Sequence, residues 1–121
     1  RSSAASDVYK RQPIRFDCNI FLSYDVSYEQ AQDLVESVSK KLKADQELGK
    51  YLIQDVSIFG IMEIRENSYL LRTTAVAVPG HQWVLGRKER KLIIDEISKR
   101  KLNPSIQVVA LANGKEINEE V

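Results

Sequence analysis

The chain has 121 residues, of which 43% are hydrophobic, so it is long enough for one hydrophobic core and too short for two comfortable domains. Its formal charge is only +1, and this small excess disappears when the first twelve residues are left out, so no charge excess favours a nucleic-acid partner. A single cysteine, Cys18, excludes an internal disulfide framework and a multi-cysteine zinc site.

The ends of the chain differ in character from its middle. Residues 1–12 show neither strand nor helix periodicity and resemble a translated vector or adaptor scar, so we expect a non-native or disordered lead-in. Residues 13–112 are predicted to form the domain, and residues 113–121 a polar tail. We therefore expect the chain to be the C-terminal fragment of a longer protein.

The first predicted elements are a strand and a helix. Apolar residues alternate with polar ones from Ile14 to Tyr24, which predicts a half-buried strand. Cys18 lies on its apolar face, and a buried small hydrophobe is favoured over a reactive thiol. Ser27 and Gln30 then have the spacing of a capping box. An apolar stripe follows at helical spacing: Ala31, Leu34, Val35, Val38 and Leu42.

The centre of the chain has the pattern of an antiparallel hairpin. Two apolar runs, Val56–Ile64 and Tyr69–Val78, flank a short polar turn. Gly60 in mid-strand indicates a bulge or a close backbone approach. Simple alternation places Phe59 and Ile61 on one face of the first strand. It places the other apolar residues on the opposite face: Val56, Ile58, Gly60, Met62 and Ile64. Both faces are then partly apolar, which indicates either a covering domain or subunit, or ordinary exposed residues.

A second helix and a last strand complete the pattern. Pro79 and Gly80 end the hairpin, and helix-spaced apolar residues follow: Leu85, Leu92, Ile93 and Ile97. Alternation of Ile106, Val108 and Ala110 predicts a short final strand. The order predicts an α+β, ferredoxin-like β-α-β-β-α-β sandwich, with an antiparallel sheet and two helices on one face.

Residues that carry chemistry are few. His81 is the only histidine, and the sequence holds no phosphate-binding or calcium-binding loop. We therefore predict no enzyme activity, no cofactor and no metal. Trp83 is the most unusual residue, and we expect it to hold the start of the second helix against the sheet rather than to stack on a ligand.

Three segments of the sequence carry a family resemblance: Ile58–Ile61, Glu66–Arg72 and Pro79–Glu89. Together they resemble the C-terminal α/β domain of the small-conductance mechanosensitive ion channel family, over about Ile14 to Leu111. The most specific part of this resemblance is the motif Pro-Gly-x-Gln-Trp, which is followed by an arginine and a glutamate. The matching positions are Gly60, Pro79, Gly80, Gln82, Trp83, Arg87 and Glu89. Residues 101–107 depart from the family pattern, because they lack its second proline and its aromatic residue.

The resemblance implies a cytosolic vestibule domain on the cytoplasmic side of the cell (inner) membrane. In the family, seven copies form a hollow cage below a pore that releases ions and small solutes when membrane tension rises in hypo-osmotic shock. The partners implied are other copies of the chain, as a homo-oligomer, and the membrane through a missing N-terminal part, but no nucleic acid. Two alternatives stay open: a free-standing small-ligand sensor or interaction domain, and the cytosolic tail of a different transporter.

Overall fold

The computed structural model describes residues 12–102 of the chain. The described elements are, in chain order, β1 (Ile14–Ser23), α1 (Tyr28–Lys43), a 3₁₀ turn (Gly49–Tyr51), β2 (Leu52–Ile64), β3 (Ser68–Ala77) and α2 (Gln82–Lys99). The strands form an antiparallel sheet in the order β1-β3-β2. The predicted α+β class is confirmed. The predicted fourth strand, Ile106–Ala110, lies outside the described residues.

One face of the sheet and both helices share a single core. Alternate residues of β1, including Cys18, Ile20 and Leu22, are buried, and so are alternate residues of β3 from Tyr69 to Ala77. They pack in one cluster with the apolar stripes of α1 and α2. The predicted alternation fails at Ile14, the first residue of β1, and at Tyr24, which follows its last residue, because both side chains are exposed although the sequence pattern places them on the apolar face.

Helix α1 begins as predicted. The Ser27 hydroxyl accepts a hydrogen bond from the Gln30 backbone N–H, and the Gln30 side chain accepts one from the Ser27 N–H. The capping box thus satisfies two of the N–H groups that a helix start leaves unpaired. All five residues of the predicted apolar stripe are buried.

Strand β2 differs from the prediction because its pairing with β3 is irregular. Its register shifts four times, and one shift falls between Ile58 and Gly60. Each extra residue reverses the alternation that follows it. The predicted faces are therefore wrong for Gly60 and Ile61: Ile61 pairs opposite Leu71 on the helix-covered side, whereas Gly60 pairs opposite Arg72 on the other. Two shifts separate Ile58 from Ile64, so Ile64 returns to the same side as Ile58, as predicted.

Exposed apolar residues gather in the second half of β2, where Phe59, Ile61, Met62 and Ile64 are 42–76% exposed. Two phenylalanine rings, those of Phe59 and Phe21, lie on the sheet face away from the helices, and an arginine side chain partly covers each of them. The Arg15 guanidinium lies 4.9 Å from the Phe59 ring centre. The Arg65 guanidinium lies 4.5 Å from that of Phe21. Cation–π contacts of this kind let an aromatic ring remain on a solvated face.

The two helices are joined by ion pairs at one end of the domain. Glu96 on α2 accepts hydrogen bonds from Lys41 on α1 and from Arg100, and Arg100 also binds Asp33 of α1 at 2.9 Å. Leu102 packs against the core close to the start of α1. The described chain thus ends beside the Ser23 end of β1, whereas it begins at the Ile14 end.

Candidate functional site

The step from β3 to α2 is the part of the chain where the motif residues come together. Gly80 has a φ of 93°, a backbone conformation that a side chain disfavours. Its N–H donates to the Gln82 side-chain oxygen at 2.7 Å, and the His81 N–H donates to the Val78 carbonyl at 3.0 Å. Pro79, Gly80 and Gln82 therefore form a tight turn that sets where α2 begins.

His81 is held in this turn by an aromatic contact. Its ring stacks on Tyr51, with 3.6 Å between the ring centres and 12° between the ring planes. Its Nδ1 atom is buried and has no hydrogen-bond partner within residues 12–102. This stack connects the turn to the 3₁₀ segment before β2. A hydrogen bond of 2.9 Å from the Val78 N–H to the Tyr51 carbonyl connects the same two segments.

Trp83 does not hold the helix against the sheet, and that prediction is wrong. Its side chain is 65% exposed. The inward positions of the first turns of α2 are occupied instead by Leu85, Gly86 and Glu89. Trp83 and Arg87 lie one turn apart on the outer side of α2 and line a cleft of about 370 Å³ against the β1 residues Ile14 and Phe16.

This cleft, which we call the basic cleft, is lined by three arginines and one aspartate: Arg15, Arg87, Arg90 and Asp17. Arg15 is paired with Asp17 at 3.0 Å. Arg87 is exposed and forms no ion pair within the described part of the chain. The cleft therefore offers a cationic rim beside an exposed indole.

Glu89 is the motif residue with the most unusual environment. It is 1% exposed, and its Oε2 atom accepts a hydrogen bond of 2.6 Å from the Thr73 hydroxyl of β3. Burial raises the pKa of Glu89 above the ordinary value of a glutamate, and the Thr73 hydrogen bond and the Arg90 charge oppose this rise. The sequence analysis named Glu89 and missed Thr73. The sequence did contain a sign that Glu89 faces inward. Glu89 lies four residues after Leu85 and four before Ile93, and residues at this spacing share one face of a helix.

Gly60 lies apart from these residues, on the edge strand β2. The register shift beside it confirms the predicted bulge, while a β-carbon built on Gly60 would meet no atom of residues 12–102 within 4 Å. Of the two interpretations of Gly60, the bulge is therefore the one that the described residues support. The motif residues form one local site at the start of α2, with Gly60 outside it.

A second, larger cleft lies at the opposite edge of the sheet. It measures about 630 Å³ and runs between α1 and β2, with Tyr28, Val56 and Ile58 among its apolar lining. Its charged lining consists of Glu29, Asp33 and Glu36, and we call it the acidic cleft. The sequence analysis gave these helix charges no binding role, since a charge run on a helix is usually a solvated face.

Reactive groups are sparse in the described residues. Burial raises the pKa of the Cys18 thiol to about 12, so the thiolate that would act as a nucleophile is not populated at neutral pH. The predicted burial of Cys18 is confirmed. Within residues 12–102, no three His, Cys, Asp or Glu side chains are grouped so as to hold a metal ion. In the same range, no helix is both long and apolar enough to cross a membrane.

Comparison with known proteins does not assign the chain to a family. No protein-family model matches it, and a search of curated proteins found no match.

Proposed function

We propose that this chain is the C-terminal cytosolic domain of a channel of the small-conductance mechanosensitive type. In this role several copies, seven by the family resemblance, would form the wall of a vestibule on the cytoplasmic side of the cell membrane. The pore and the membrane-spanning helices would belong to a preceding part of the protein. The domain would support assembly and filter solutes on their way to the pore, without catalysis.

The observation that carries this proposal is the Pro79–Glu89 segment. The sequence resemblance rests on this segment, and the residues that match have distinct physical roles in it. Gly80 has a positive φ, Gln82 accepts a hydrogen bond within the turn, and Glu89 binds Thr73 across to the sheet. The glycine, the amide and the acid of the motif each meet a local structural requirement. A match of this kind supports the family resemblance more strongly than a match of residue types without structural roles.

The finer fold proposed with this function is the ferredoxin-like sandwich. Its fourth strand, Ile106–Ala110, would pair with the free edge of β1, since β1 has a neighbour on one side only in the described sheet. The chain leaves α2 at Leu102, beside the Ser23 end of β1, from which such a strand could run antiparallel to β1.

The test is electrical and uses the whole gene from which the chain comes. The coding sequence upstream of Pro13 would be read, and the complete protein would be expressed in bacterial cells that lack their own mechanosensitive channels. The proposal expects an upstream apolar helix of about 20 residues, tension-activated currents in membrane patches, and better survival of hypo-osmotic shock.

Two results would contradict this proposal. One is a complete gene without any membrane-spanning segment. The other is a complete, membrane-inserted protein that gives no current up to the tension at which the patch ruptures. A melting-temperature shift of the isolated chain with one of a panel of metabolites would favour the sensor alternative instead.

A further inference from the structure

The two clefts lie on opposite edges of the domain and carry opposite charge. The acidic cleft borders β2, and the basic cleft borders β1, which are the two outer strands of the described sheet. Glu29 and Glu36 form no ion pair within residues 12–102, and neither does Arg87. Each cleft therefore presents unpaired charge of one sign.

Each edge also presents apolar side chains that a partner could cover. Trp83 is 65% exposed at the basic cleft, and Tyr28 is 39% exposed at the acidic cleft, above Val56 and Ile58. Tryptophan, tyrosine and arginine are the side chains that most often dominate the energy of protein interfaces. With about 630 Å³, the acidic cleft has room for an indole ring.

We propose that a second copy of this chain docks edge to edge, with Trp83 and Arg87 of one copy against the acidic cleft of the next, between Tyr28 and Glu36. Charge complementarity selects this occupant, because a contact between two acidic clefts would place carboxylates against carboxylates. The inference extends the proposed function by naming the surface through which copies assemble.

The arrangement has a consequence for the assembly. Because the two surfaces of one copy lie on opposite edges, a pair of copies leaves one acidic and one basic cleft unused. Head-to-tail contacts of this kind continue until a ring closes or a filament grows. The contact therefore favours higher oligomers over a closed dimer.

The fourth strand proposed above is compatible with this contact. A five-residue strand spans about 17 Å, while the ten residues of β1 span about 33 Å. Entering from the Ser23 end, such a strand would leave free the Ile14 end, where the basic cleft lies.

The experiment is sedimentation velocity of the purified 121-residue chain over a range of concentrations, at about 50 mM and about 500 mM salt. We expect association beyond the dimer at low salt and weaker association at high salt, because exposed charges are screened. Glu36→Lys and Arg87→Glu should each weaken association at least about tenfold, since each places like charges together. Thermal melting by circular dichroism confirms that each variant is folded.

The decisive sample is an equimolar mixture of Glu36→Lys and Arg87→Glu chains. The Glu36→Lys chain keeps an intact basic cleft and the Arg87→Glu chain keeps an intact acidic cleft, so the mixture should associate at low salt although neither variant does so alone. Glu66→Lys and Lys99→Glu make the same charge changes outside the clefts, and should leave association unchanged.

Three outcomes would overturn the inference. They are a wild-type chain that stays monomeric at millimolar concentration in low salt, a mixture that fails to associate, and control variants that weaken association as much as the cleft variants. None of these results bears on whether the complete protein conducts, so the inference and the proposed channel function can fail separately.

Discussion

Replacing the buried acid Glu89 by glutamine should change how the stability of the domain depends on pH. Burial raises the pKa of Glu89 in the folded state, so the folded chain holds this proton more tightly than the unfolded chain does. The free energy of unfolding is then largest below the unfolded pKa of about 4.3, and it falls as pH rises from there through the folded pKa. Glu89→Gln removes this fall, because the amide does not titrate.

The size of the effect follows from what surrounds the carboxylate. Glu89 is 1% exposed, and among the described residues its carboxylate accepts one hydrogen bond, of 2.6 Å, from Thr73. A buried polar group with incomplete hydrogen bonding costs about 1–3 kcal/mol. Relative to wild type, we expect Glu89→Gln to gain stability by about 1–2 kcal/mol on going from pH 4 to pH 7. Each kcal/mol corresponds to about 4–8 °C in Tm for a domain of this size.

The same helix offers a matched control of opposite sign. Glu96 is also buried, at 2% exposed, but hydrogen bonds from Lys41 and Arg100 lower its pKa. Its ionised form therefore contributes stability above the unfolded pKa of about 4.3, which is lost as pH falls through the folded pKa. Relative to wild type, Glu96→Gln should be less stable at pH 7, and the deficit should shrink on acidification.

The assay is urea unfolding of the wild type and both variants at several values between pH 3 and pH 7, a range that extends below the unfolded pKa of about 4.3 and so covers the change at Glu96. A poor fit of the amide would change the free energy of unfolding equally at all pH values. The test is therefore how the difference in free energy of unfolding between variant and wild type depends on pH. The reasoning is refuted if the stability difference between Glu89→Gln and wild type is constant over this range, or if both variants change in the same direction.

Two further predictions concern the motif residues. Trp83→Ala should lower Tm by no more than about 3 °C, because the side chain is 65% exposed, while it weakens association of the chain in sedimentation; a loss of folding would mean that the indole is buried after all. Gly80→Ala should cost about 1 kcal/mol or more, since φ at Gly80 is 93°, whereas Gly60→Ala should stay within about 0.5 kcal/mol, because its β-carbon would meet open space. Denaturant unfolding of the two alanine variants checks this contrast, and equal losses would contradict it.

Local patterns determined much of what the sequence predicted correctly. The capping box at Ser27 and the apolar stripe of α1 depend on residues three or four apart, which interact within one helix whatever the rest of the chain does. Strand β3 alternates regularly for a different reason: it is the central strand, paired on both sides, and the extra residues at the register shifts lie in its partner β2.

The predictions that failed depended on long-range pairing. The register shift between Ile58 and Gly60 places Ile61 on the helix-covered side and Gly60 on the other, and alternation along one strand cannot reveal where such a shift falls. Trp83 was expected inside because of its size. The rotation of α2 about its own axis gives the inward positions to Leu85 and Glu89 instead.

By itself, the sequence determined the α+β class, the order of the described elements, the start of α1 and the burial of Cys18, because these follow from periodicity and local hydrogen bonding. Only the tertiary structure decided which partners the buried acids Glu89 and Glu96 bind, which aromatic side chain is exposed, and that the acidic and basic clefts lie on opposite edges of the sheet. Those features depend on contacts between residues far apart in the chain, and a local sequence pattern cannot predict such contacts.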